Sequence, residues 1–137
     1  MQYQRIVAVA RVVFGLFYFA TGVAILLYAL FGIGGPPNQP TPEASEFTMA
    51  LTASRFVDPL LSLAYLIGGG ALVRHRSAPL GILVLAPVVL VIFCFHLVLS
   101  GQWIWGTANL AWLLALAWNY RSAFPPLWSY PARSQLP

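Results

Sequence analysis

One run of twenty residues without a charge, Val12 to Phe31, constrains this chain more than any other feature. At a rise of about 1.5 Å per residue, a helix of that length covers the roughly 30 Å hydrocarbon core of a bilayer. A cleaved signal peptide is the competing reading, but its apolar region is only about 7–15 residues long. A first span over residues 6–31 is therefore expected, interrupted only by Arg11. The rest of the chain agrees. Of 137 residues, 60% are hydrophobic, 15% aromatic and 7% charged, whereas soluble domains carry about 25% charged residues. A soluble chain this short has too little interior to hide so much apolar surface, and disordered chains are polar and poor in aromatics. The remaining class is an all-α integral membrane protein with a single membrane domain over 1–137.

Punctuation along the chain divides it into four spans. Gly34-Gly35-Pro36-Pro37, followed by Pro40 and Pro42, ends any helix. Thr41-Pro42 reads as an N-cap followed by proline at the first helical position, with Glu43 and Glu46 where the helix dipole favours acids. A short amphipathic surface helix over 42–54 is expected, with Phe47, Ala50 and Leu51 toward lipid or the bundle. Asp58-Pro59 repeats the cap-then-proline signal and opens a second span over 58–73. After the basic turn Arg74-His75-Arg76 come a third span over 79–99, in which Pro87 predicts a kink, and a fourth over 103–119. The Pro-rich, aromatic tail over 121–137 has the composition of an interfacial segment.

The seven basic residues are all arginine. They form no stripe that would track phosphates, which argues against nucleic acid as a partner. With four spans, Arg5, Arg11, Arg74, Arg76, Arg121 and Arg133 fall on one side. Arg55 and the acids Glu43, Glu46 and Asp58 fall on the other. The positive-inside rule then places both termini in the cytoplasm and the surface helix outside a cytoplasmic (inner) membrane. Arg11 reads as an edge anchor. The single cysteine, Cys94, excludes an internal disulfide and a Cys-x-x-Cys redox pair.

Polar residues inside spans face the bundle interior and are functional candidates by default. Helical spacing groups Arg11, Gly15, Tyr18 and Gly22 on span one, and Asp58, Ser62, Tyr65 and Gly69 on span two. On span four Trp105, Asn109 and Trp112 share a face, while His96 stands alone on span three. The expected topology stacks Asp58, His96 and Trp105 above Tyr65, Asn109 and Thr21, a column opening outward. This column is a candidate pocket for a small apolar ligand. Plainer readings stand beside it. Asp58 serves as a helix cap; Tyr65 and Asn109 serve as interhelical hydrogen-bonding groups; His96 bonds across helices, handles a proton, or ligates haem or a metal. The last is the weakest reading, because no second ligand is at hand. No metal site and no catalytic triad or carboxylate pair is legible.

Several stretches resemble the DoxX-like family of small four-span membrane proteins. They are Arg11-Val12-Val13-Phe14-Gly15 with Ala20-Thr21-Gly22; Pro36-Pro37 through Thr41-Pro42-Glu43-Ala44 to Phe47-Thr48-Met49-Ala50-Leu51; Ile67-Gly68-Gly69; Ala78-Pro79-Leu80-Gly81; Leu85-Ala86-Pro87-Val88-Val89 with Phe95-His96-Leu97; and Trp118-Asn119-Tyr120-Arg121. The resemblance implies a four-helix membrane bundle associated with redox systems, since some relatives are quinone-reducing subunits. Tyr65 stands where relatives often carry Glu, Val91 where they carry Asn, and no Lys is found near Ala24. The function expected is an accessory or partner subunit of a membrane redox system, no enzyme alone, binding a quinone or similar lipid-soluble ring. Two alternatives are a stand-alone quinone-dependent oxidoreductase subunit with His96 as its catalytic, proton-handling group, and a structural subunit of a larger membrane complex. Other membrane subunits are the expected partners, and no intrinsic cofactor is expected.

Overall fold

The computed structural model describes residues 2–35 and 38–128. Among these the chain is helical, with no strand: α1 (Gln2–Phe31), α2 (Pro42–Ala53), α3 (Val57–Val73), α4 (Ala78–Val98), α5 (Trp103–Asn119) and a single turn α6 (Pro125–Trp128), with 3-10 turns at His75–Ser77 and Arg121–Ala123. The expected interfacial tail thus begins as short helical turns, and its remainder, 129–137, lies outside the described residues. Helix α1 and the stretch His75–Val98 are each long and apolar enough to cross a membrane. Helices α2 and α3 are long enough only together, as a pair bent by 93°, and α5 has 17 residues. Two to three spans are therefore evident from length and composition.

Local chemistry explains the boundaries. Helix α1 stops at Gly32, whose φ of 66° is the left-handed conformation a glycine adopts without cost, and the Gly32 amide closes the helix on the Tyr28 carbonyl at 2.9 Å. Thr41 caps α2 as its spacing predicts: its hydroxyl accepts from the Ala44 amide at 3.2 Å, and Pro42 occupies the first turn. The cap expected of Asp58 is corrected. Helix α3 begins a residue earlier, at Val57, whose amide reaches the Ser54 hydroxyl at 3.3 Å, so Asp58 sits inside the first turn. Between α2 and α3, Arg55 holds a φ of 63°. Helix α4 runs through Pro87 unbroken.

The helices pack in the order α1, α3, α4, α5, and each junction is made at a glycine. A Cβ on Gly69 would lie 2.6 Å from the Gly15 carbonyl oxygen of α1. One on Gly81 would lie 2.6 Å from the Gly68 oxygen of α3, and one on Gly106 would lie 2.9 Å from His96 Cβ of α4. Small residues let backbones approach, which is how helices associate where lipid is as apolar as leucine. The Gly68-Gly69-Gly70 run therefore serves two neighbours at once, α4 through Gly68 and α1 through Gly69. The Ser62 hydroxyl adds a bond to the Gly22 carbonyl of α1 at 2.8 Å. Phe14, Tyr18, Leu72, Leu85, Val89, Leu113 and Leu116 fill the interior, while Leu16, Leu63, Ile67, Leu83, Leu90 and Leu114 cover the outside. So much exposed hydrocarbon is the surface a bilayer would solvate.

Arg11 departs from the edge-anchor reading. It is 7% exposed, wedged between α1 and α3, with Nη1 donating to the Leu72 carbonyl at the C-terminal turn of α3. The last carbonyls of a helix have no intrahelical partner and carry partial negative charge, so a cation belongs there. Close by, Tyr3 donates to Asn119 Oδ1 at 2.6 Å, and His75 Nδ1 lies 2.8 Å from the Tyr120 hydroxyl. These bonds tie α1, the α3–α4 turn and α5 together at the end of the bundle that carries the chain's start.

Candidate functional site

Farther along the bundle, α1 and α5 face each other across a gap. They make few direct backbone approaches and meet instead through long side chains: Phe14 against Trp112 with ring centres 5.3 Å apart, Phe17 against Trp105 at 6.0 Å, and the Tyr18 hydroxyl donating to Asn109 Oδ1 at 3.0 Å. Helices held apart in this way leave space between them. That space is a cavity of about 910 Å³, walled by α1, α2, α3, α4 and α5.

All six residues singled out from sequence as ligand candidates lie on its wall: Thr21, Asp58, Tyr65, His96, Trp105 and Asn109. The structure adds Phe17, Tyr18, Ile25, Tyr28, Phe47, Leu51, Leu61, Val88, Val91, Ile92, Phe95 and Gln102. The wall is mostly hydrocarbon and aromatic rings, with a few polar atoms at separate depths, which is the usual make-up of a small-molecule site.

These polar groups differ in how far the protein already satisfies them. Thr21 donates to the Phe17 carbonyl of its own helix at 2.9 Å. Asn109, 7% exposed, accepts from Tyr18 and donates through Nδ2 to the Trp105 carbonyl at 2.9 Å. This pair is the interhelical bond that holds α1 to α5. His96 Nδ1 lies 2.8 Å from the Ser100 hydroxyl, and His96 Nε2 has no hydrogen-bond partner among the described residues. Tyr65 is 5% exposed and its ring lies 5.2 Å from that of Tyr18, yet its hydroxyl has no hydrogen-bond partner among the described residues. Asp58 is half-buried, and its carboxylate makes no hydrogen bond or ion pair there.

Two partners are not legible in the sequence. Ser100 lies in the turn after α4, where its hydroxyl still reaches the His96 ring four residues earlier. Tyr18 groups with Arg11, Gly15 and Gly22 on its span, and its pairing with Asn109 across 91 positions leaves no local signal. Helix α2 also does more than lie on a surface. Ala44 is fully buried, Phe47 meets Phe95 with ring centres 5.8 Å apart, and the Thr41 hydroxyl donates to the Leu99 carbonyl at 2.6 Å. The helix is thereby held over the cavity against the end of α4. Trp105 is half exposed, with its edge toward Phe17. Among the described residues no group of three or more His, Cys, Asp or Glu is gathered as metal ligands would be.

Comparison with protein-family models, with curated proteins and with solved structures found no match for this chain. The resemblance to DoxX-like proteins therefore rests on the sequence motifs alone.

Proposed function

We propose that this chain is a four-span membrane protein that holds a small lipid-soluble ring compound, a quinone being the class favoured, as an accessory subunit of a membrane redox system. The observation that carries the reading is the cavity of about 910 Å³, in which aromatic side chains surround a few polar atoms that the protein leaves without partners. A flat ring with polar substituents matches both features: its faces stack on Phe, Tyr and Trp, and its oxygens meet the polar atoms. In this reading α3 and α5 are the second and fourth spans. At 17 residues each they reach the lower limit for crossing a bilayer, and tilt or local thinning absorbs the difference. The arginine asymmetry supports an orientation with the termini in the cytoplasm and the cavity mouth outside. The chain has one cysteine and no flavin-binding motif, so electrons reach the ring from a partner protein.

The test is to isolate the protein from its native membranes in mild detergent and identify by mass spectrometry what accompanies it. A quinone in near-stoichiometric amount together with redox-protein subunits is the expected result. A lone protein carrying only phospholipid overturns the proposal. A stable larger assembly without quinone points to the structural subunit instead.

A further inference from the structure

The Tyr65 hydroxyl and His96 Nε2 are two of the polar groups on the cavity wall that make no hydrogen bond to the described residues, and they sit on helices that run in opposite directions. Tyr65 lies eight residues from the start of α3 at Val57, and His96 lies two residues from the end of α4 at Val98. Both side chains line the same cavity. Side chains lean toward the N-terminus of their own helix. In the antiparallel pair this tips Tyr65 toward the α2 end and His96 away from it, so the two converge on the space between them.

Ser100 bears on what His96 offers there. The Ser100 hydroxyl has a single hydrogen and two acceptors in reach, His96 Nδ1 at 2.8 Å and the His96 carbonyl at 3.4 Å, while it accepts from the Gln102 amide at 3.3 Å. Donation to the carbonyl goes with a proton on Nδ1; donation to Nδ1, the nearer acceptor, puts the ring proton of neutral His96 on Nε2, which can only donate. We propose, on the reading of the cavity as a quinone site, that the ligand is held as a hydrogen-bond acceptor between the Tyr65 hydroxyl and the Nε2–H of His96, with Ser100 the positioning residue that sets the tautomer. The ligand class is a ring bearing carbonyl oxygens; an alkyl chain has nothing to accept either proton. Tyr18 is no donor to this ligand, since its single hydroxyl proton goes to Asn109 Oδ1.

Tyr65 gives the test its separation of function from folding. The Tyr65 hydroxyl faces the cavity and makes no hydrogen bond to the described residues, so Tyr65→Phe removes no bond within the fold and leaves stability close to wild type. The full chain in lipid nanodiscs is titrated with a short-tailed 1,4-benzoquinone, read by quenching of tryptophan fluorescence, and the neutral His96 tautomer is read by ¹⁵N NMR without ligand. Wild type is expected to bind and to show the proton on Nε2. Tyr65→Phe and His96→Leu each bind about fivefold more weakly, as loss of one hydrogen bond predicts. His96→Gln, which keeps a donor near the Nε2 position, recovers most of the loss. Ser100→Ala gives a mixture of tautomers and intermediate binding. Wild-type affinity in both Tyr65→Phe and His96→Leu overturns the two-donor clamp while leaving the quinone site intact. A proton found on Nδ1 overturns the role of Ser100. No quenching in wild type overturns the quinone reading itself, and the clamp with it.

Discussion

At the scale of single residues, the bundle shows two kinds of tyrosine. Tyr18 and Tyr65 are both buried, neighbour each other and belong to the same core cluster, but of the two only Tyr18 has a hydrogen-bond partner among the described residues. Tyr18→Phe removes the hydrogen-bond donor of Asn109 Oδ1 and is expected to cost about 1 kcal/mol, the usual worth of such a bond between membrane helices. Equilibrium unfolding in mixed detergent measures it, and an unaltered midpoint would show that the Tyr18–Asn109 bond bears no weight. Arg55 offers the opposite sign. It follows the Ser54 cap of α2 in the left-handed region, donating its amide to the Thr52 carbonyl at 3.1 Å. An L side chain pays about 1 kcal/mol there, and glycine does not. Arg55→Gly should therefore raise the thermal midpoint by a few degrees, a gain that a lowered midpoint would refute. The residue types that line the cavity were legible because each was a polar group inside an apolar run. Their bonding was not, since Tyr18 and Asn109 are joined by the fold and nothing near either in sequence announces the other. Arg11 was misplaced for a related reason: an arginine near the end of a span usually reaches for the headgroups, and only the packed C-terminus of α3 shows that it has a better site.

At the scale of helices, closeness of approach decides what each glycine tolerates. Gly69 and Gly70 are adjacent in sequence but face different surroundings. A Cβ on Gly69 would meet the Gly15 carbonyl oxygen and the Phe19 amide nitrogen at 2.6 Å, both backbone atoms that cannot swing away. On Gly70 the nearest atom is a Phe19 ring carbon at 3.6 Å, an ordinary contact. Gly69→Ala must push α1 and α3 apart and is expected to destabilise by about 2 kcal/mol, as overpacked cores do. Gly70→Ala should stay within about 0.5 kcal/mol of wild type, as ordinary contacts allow. Equal effects of the two, measured side by side, would mean that the α1–α3 approach is looser than described. From sequence, helical spacing groups Gly15 and Gly22 with Tyr18 on span one, and Gly69 of the Gly68-Gly69-Gly70 run with Tyr65 on span two. What stayed hidden is that the run meets two helices at once. Helix ends followed the same division. Thr41 and Gly32 carry recognised cap chemistry, whereas the start of α3 at Val57 depends on Ser54, three residues upstream and on the far side of the Arg55 turn.

For the whole molecule, the decisive property is the contrast between its two ends. Where the chain begins, Tyr3–Asn119, His75–Tyr120 and Arg11–Leu72 tie the helices together. Toward α2, α1 and α5 are bridged only by long side chains and the cavity opens between them. Charge follows the same axis: Arg74, Arg76 and Arg121 belong to the tied end, Glu43, Glu46 and Asp58 to the open one. If the arginine-rich end is cytoplasmic, the cavity communicates with the outside and its ligand arrives from the outer leaflet or the outer aqueous face. Cysteine labelling settles the orientation. The native Cys94 is exposed on α4 and is first replaced by alanine. Single cysteines then go to Gln102, in the exposed turn before α5, and to Arg76, in the exposed turn before α4. A membrane-impermeant maleimide added to intact cells should label Gln102→Cys and spare Arg76→Cys, with inverted vesicles giving the reverse. The opposite pattern turns the molecule over and puts the cavity on the cytoplasmic side. Labelling of both positions from one side is incompatible with α5 and α4 joining through an outer turn while α3 and α4 join through an inner one, and so with the four-span topology itself.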